Sequence, residues 1–263
     1  MLVPHRRQRG DVAFVQLHRT RHLPEPRYWL ATNRSDDDLD VVISAAYEEH
    51  DPAAGGAIRK HIPLAPPARA VMDAVRIEYV ATLRASRPHI GARRHARLVR
   101  DTRALLCEVV QRQKASVADL VAELNVARSP GNTIARRAME DIVAGCRSAP
   151  ECELRDLIKT SKILPEPRWN RPLPGYRPER RRDALTPDAC FREARLVVEV
   201  DSVEWHRIGP RQEQTEKRRA RYAELGWLVI SVSPYRIRNE PDAVLRDIEQ
   251  TYLAQVGRAR EPG

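Results

Sequence analysis

Cysteine is sparse in this 263-residue chain, and no two cysteines are spaced C-x-x-C. The four, Cys107, Cys146, Cys152 and Cys190, follow no signal-like apolar N-terminal run. A secreted disulfide scaffold is thereby excluded, and the four read as free thiols in a reducing, cytoplasmic setting. Long apolar runs are also missing. None approaches the roughly 20 residues of a membrane span, so a soluble protein with no membrane partner is expected. There is no P-loop, no G-x-G-x-x-G and no G-x-S-x-G, so the common phosphate cradles and the hydrolase nucleophile elbow drop out. His18, His22, His61, His89 and His95 fall at no metal-ligand spacing. Aromatic residues make up only 5% of the chain.

Positive charge is plentiful. The formal net charge is +10, and nearly all of the 46 Lys and Arg are Arg. Arg suits bidentate contacts to phosphate, which points to a polyanionic partner. The surplus is concentrated between Arg84 and Lys114, where nine basic residues face only Asp101 and Glu108. Arg93, Arg94 and Arg97 in this stretch are candidate nucleic-acid contacts. A solvated helix face is the other reading.

Along the chain, 11–20 and 41–47 have strand character, while 33–40 reads as a loop. Residues 61–77 open on prolines and become helical. The pattern is then helix-rich. Ser116 and Asp119 form a capping-box pair before an apolar helix. Beyond Arg147 the pattern reads helix, strand, strand, strand, helix, strand, helix, with Ser148 capping the first helix and Gly226 ending the polar one. The expected fold class is α/β (mixed α+β), with a basic, helix-rich N-terminal domain at 1–147 and a second domain at 148–263.

The informative stretch is "LVVEVDSVEWH", 196–206. Side chains alternate along a strand, so Glu199 and Asp201 share one face. "FREARL" closes a hairpin with a four-residue loop. If Phe191 opposes Leu196, then Asp188 opposes Glu199, with the two Cβ atoms roughly 5 Å apart. Like charges so opposed repel, and something must offset them. A divalent cation does so; Mg²⁺ prefers carboxylate oxygens and keeps several waters. Neutralisation by neighbouring arginines such as Arg192 and Arg195 is the alternative.

The stretch "PDACFREARLVVEVDSVEWH" (187–206) resembles the core of the very-short-patch-repair-like endonucleases, within the PD-(D/E)xK, restriction-endonuclease-like superfamily. The resemblance extends from 148 to 237. It implies an αβββαβα domain and cleavage of DNA with Mg²⁺, or Mn²⁺ in its place. On this resemblance Asp188 and Glu199 are the metal-binding acids. Asp201 stands where the superfamily most often has Lys, and His206 is positioned to assist proton transfer. Glu151 matches an acid on the first helix. Arg218, Arg219 and Arg221 would hold the DNA backbone beside the site. Ser202, Trp205 and Thr215 depart from the common pattern, which favours a second expectation: a non-catalytic DNA-binding regulator. "LHRTRHLP" (17–24) and "PLAPPARAVMDA" (63–74) resemble actinobacterial proteins similar to AbiE-type antitoxin regulators. Those commonly begin with a winged helix-turn-helix, and a shortened or divergent start is expected here.

Overall fold

The computed structural model describes residues 2–4, 18–20, 28–34, 39–44, 60–84, 88–126, 131–174, 176, 184–201 and 210–260. The chain divides into two compact units, Met1–Ala74 and Val75–Gly263.

In the first unit, β1 (Leu2–Pro4) pairs in parallel with β2 (His18–Thr20). β3 (Tyr28–Arg34) lies between β4 (Leu39–Ser44) and β5 (Lys60–Leu64) in an antiparallel sheet. The strand expected over 11–20 is seen only at His18–Thr20 among the described residues. The loop expected over 33–40 is cut back at both ends. Asn33 pairs with Asp40 and Arg34 with Leu39, so the ladder runs into the acidic stretch. Turn-rich composition marks a hairpin but does not say where pairing stops. α1 (Pro67–Arg84) starts on a proline, where the missing N–H costs nothing.

The second unit is mixed α+β, helix-rich around one small four-stranded sheet. Its helical part comprises α2 (Pro88–Gln111), α3 (Val117–Val126), α4 (Asn132–Ala144) and α5 (Ala149–Ile158). Then come β6 (Arg168–Trp169), β7 (Ala189–Phe191), β8 (Leu196–Val200), α6 (Pro210–Glu224) and β9 (Leu228–Val232). α7 (Pro234–Asn239) and α8 (Pro241–Arg260) close the unit. This is the expected order with one short helix, α7, added. Arg147 lies inside this unit, and α2 docks on α5 across it through Arg100–Glu153 and Arg103–Asp156.

Local chemistry sets the element ends. Ser116 and Asp119 exchange backbone and side-chain hydrogen bonds at the start of α3. Ser148 Oγ accepts from the Glu151 N–H and donates to Glu151 Oε1 at 2.7 Å. Gly226 ends α6 with φ 72°, the left-handed conformation expected of it. Gly145 ends α4 with φ 115°, and a Cβ there would meet the Trp169 carbonyl oxygen at 2.7 Å.

The sheet order is β6-β7-β8-β9, antiparallel except for β8 and β9, which run parallel. Cys190 and Val197 pack with Leu173, Leu185, Tyr222 and Trp227, so α6 covers one face. Phe191, on the opposite face by alternation, meets Tyr252 of α8 edge-on at 5.6 Å. Trp169 and Trp227 are buried packing residues.

A buried charge hub ties the helices together. Arg103 on α2 lies 2.7 Å from Asp141 of α4 and 2.7 Å from Asp156 of α5. Arg155 of α5 donates to Asp141 and to Glu166. The Arg103–Asp141 contact is short but poorly aligned for hydrogen bonding.

Candidate active site

The hairpin register is the one the sequence implied. Phe191 pairs with Leu196, Cys190 with Val197 and Ala189 with Val198. Asp188 and Glu199 are the next position of that ladder. They stand where β7 begins and β8 ends. Asp188 Oδ2 accepts from the Val200 N–H at 2.7 Å, and its backbone carbonyl accepts from the Asn170 N–H. Asp188 therefore ties β6, β7 and β8 together at the acidic end of the sheet.

Glu199 is buried, with only 9% of its surface exposed. Its Oε1 accepts from the Tyr222 hydroxyl at 2.8 Å and from Arg218 Nη2 at 3.1 Å. Arg218 also donates to the Thr186 carbonyl and to Tyr222 Oη. Asp201 is half-buried and pairs with Arg219, which also donates to Ser231 Oγ. Glu151 is buried at the start of α5. Its carboxylate accepts from the Arg147 N–H at 2.8 Å, from Ser148 Oγ and from Asn170 Nδ2.

These acids feel one another. Burial first, then the Glu151 charge, pushes Asp188 up to about 6. Burial first, then Asp188, pushes Glu199 up to about 7, against the pull of Arg218 and Tyr222. Burial also raises Glu151, opposed by the Arg147 N–H, Ser148 and Asn170. Even with Arg218 and Tyr222 in place, the Asp188–Glu199 pair keeps its protons to higher pH than ordinary carboxyls do.

The structure thus brings together Asp188, Glu199, Asp201 and Glu151, with Arg218 and Arg219 beside them. His206, Ser202 and Trp205 lie outside the described residues. Arg192 and Arg195, the neutralisers of the alternative reading, are not the ones paired with these acids; Arg218 pairs with Glu199 and Arg219 with Asp201. Arg93, Arg94 and Arg97 are exposed on α2, with Arg97 3.4 Å from Asp101. Elsewhere in the basic stretch, Arg100, Arg103 and Arg112 are paired with acids. Sequence reasoning missed Tyr222 and Asn170. Nothing in the neighbours of Tyr222 along its polar helix foretold a carboxylate partner. Among the described residues, no group of three or more His, Cys, Asp or Glu is arranged to hold a metal ion. No helix among them is long and apolar enough to cross a membrane.

No protein-family profile matches the chain, and no solved structure matches it. The chain is similar to two uncharacterized proteins of Mycobacterium tuberculosis. One is from strain CDC 1551 / Oshkosh and one from strain ATCC 25618 / H37Rv; each is 29% identical over 170 residues. The match covers 63% of this chain and 60% of each relative.

Proposed function

We propose that the acidic end of the sheet is the site of a Mg²⁺-dependent endonuclease that hydrolyses DNA phosphodiester bonds. In this reading 148–263 is a restriction-endonuclease-like αβββαβα domain of the very-short-patch-repair-like kind, and 1–147 is a basic, regulator-like region. The observation that carries it is the buried Asp188–Glu199 pair, opposed across a hairpin, with both carboxyls raised by burial and then by neighbouring acids even with Arg218 in place.

The donor set suits the ion. Asp188 and Glu199 would hold it through hard carboxylate oxygens, with waters filling the remaining positions, as Mg²⁺ commonly accepts at phosphate-handling sites. Mn²⁺ would fit the same donors. When bound, the ion would polarise the phosphodiester and lower the pKa of an attacking water.

The chain's own groups have separate tasks. Tyr222 and Arg218 both fix Oε1 of Glu199, and Oε2 would be the oxygen offered to the ion. Glu151, held from three sides, orients water beside Asp188. Asp201 assists. Arg219 is close enough to exchange Asp201 for a backbone phosphate. Arg93, Arg94 and Arg97 would offer further phosphate contacts on α2, and His206 would serve as general acid or base.

A second reading is a catalytically weak or inactive DNA-binding regulator of a toxin–antitoxin or defence system. It is favoured by one observation: guanidinium groups already occupy Glu199 and Asp201. The test incubates purified protein with supercoiled, linear and mismatched DNA, in Mg²⁺ or EDTA. Mg²⁺-dependent cutting that Asp188→Asn and Glu199→Gln abolish supports the nuclease. Retardation without cutting supports the regulator. Mutants that cut as well as wild type would place the chemistry elsewhere.

A further inference from the structure

Three of the four cysteines come together at the junction of α2, α4 and α5. Cys107 lies on α2, Cys146 follows Gly145 at the exit of α4, and Cys152 lies in the first turns of α5. Their exposures are 3%, 2% and 0%. Cys107 and Cys146 both lie against the Cys152 thiol. No disulfide joins them.

Cys107 and Cys146 also line a cavity of about 520 Å³, together with Gln111, Arg147 and Asn170. Cys152 sits behind these two thiols. A small polar oxidant can therefore reach Cys107 and Cys146 without unfolding of the sheet. Within the cluster Cys152 is held lowest. Cys107 and then Cys146 pull its thiol down, and Arg103 adds to the effect. The other two are pushed up, first by Cys152 and then by burial. Two thiols at the cavity wall, each against the third, form an arrangement in which an oxidised sulfur can be resolved by its neighbour.

We propose that this cluster is a reversible oxidation site, in which a peroxide converts Cys152 and either Cys107 or Cys146 to an intramolecular disulfide. In the first step a sulfur attacks one peroxide oxygen. The O–O bond breaks, one water leaves and a sulfenic acid remains. In the second step the neighbouring sulfur attacks the sulfenic sulfur, the S–S bond forms, and the hydroxyl leaves as a second water. Two thiols are oxidised by two electrons, and one peroxide is reduced to two waters. The bond would tether the first turn of α5, one residue from Glu151, to α2 or to the exit of α4.

Cys190 is the internal control. It is 2% exposed, sits in the sheet core, and has its thiol pushed up to about 11 by burial. The test treats reduced full-length protein with hydrogen peroxide under native conditions. Free thiols are then alkylated after denaturation, and peptides are mapped without reduction. The expected result is loss of two of the four thiols and a crosslink from Cys152 to Cys107 or Cys146. Cys190 should be fully alkylated, and dithiothreitol should restore all four. The double variant Cys107→Ser, Cys146→Ser should form no internal crosslink. Persistence of four thiols, a crosslink through Cys190, or sulfinic acid without a crosslink would overturn the proposal. If the double variant fails to fold, as read by circular dichroism, the wild-type map decides alone. Neither readout depends on nuclease activity.

Discussion

Asp188 and Glu199 hold protons in the folded chain that the unfolded chain has released. Their contribution to stability is therefore present below the ordinary carboxyl range. It is lost as pH rises through about 6 and about 7. Asp188→Asn removes one charge while its amide oxygen can still accept from the Val200 N–H. In metal-free buffer at pH 8 the variant is expected to be more stable than wild type by roughly 1–3 kcal/mol, from one to two pKa units of relieved charge burial and, after it, repulsion. At pH 4 the advantage should vanish. Urea denaturation at both pH values checks this; equal stability at pH 8 would show that the pair is already compensated. The same variant should lose DNA cleavage, so stability and activity would move in opposite directions, as expected of a strained functional site.

The element that matters most is α5. Its first turn presents Glu151, its body packs on α2 and α4, and the Arg103–Asp141–Arg155–Asp156 hub fixes its position. Asp141 is 1% exposed and serves two arginines. Replacing it by Ala leaves Arg103 buried without one of its two carboxylates. Removing one partner of a buried ion pair costs about 3–5 kcal/mol. Asp141→Ala is expected to lose stability in that range in a denaturant titration. Replacement costing under about 1 kcal/mol, the size of an exposed pair, would mean that water reaches the hub. The sequence showed α5 and its Ser148 cap clearly, because capping is local chemistry. It did not show the hub. Arg103, Asp141 and Arg155 each read as an unremarkable charge on an amphipathic helix, and only packing took them out of water.

For the whole molecule, the net charge of +10 is the property that bears on partners. Arg93, Arg94 and Arg97 are exposed on α2, while Arg218 and Arg219 are partly spent on carboxylates. Binding to duplex DNA is therefore expected to fall steeply as salt rises, since phosphate contacts release counterions. The triple variant Arg93→Gln, Arg94→Gln, Arg97→Gln should weaken binding of unrelated sequences alike and flatten the salt dependence. Fluorescence anisotropy across a salt series measures both. An unchanged slope would remove this face of α2 from the interface.

The sequence by itself determined the acidic hairpin. Strand alternation puts Glu199 and Asp201 on one face, and a four-residue loop puts Asp188 opposite Glu199; both are consequences of backbone geometry over about a dozen residues. It also determined the caps at Ser116, Ser148 and Gly226. Only the tertiary structure decided what meets those acids. Tyr222, Arg218 and Arg219 arrive from α6, and Glu151 and Asn170 from α5 and the end of β6. The thiols of Cys107, Cys146 and Cys152 likewise meet only when α2, α4 and α5 pack. Helical periodicity says which face of each helix turns inward. It does not say how far one helix is rotated or shifted against the next, and these contacts depend on that.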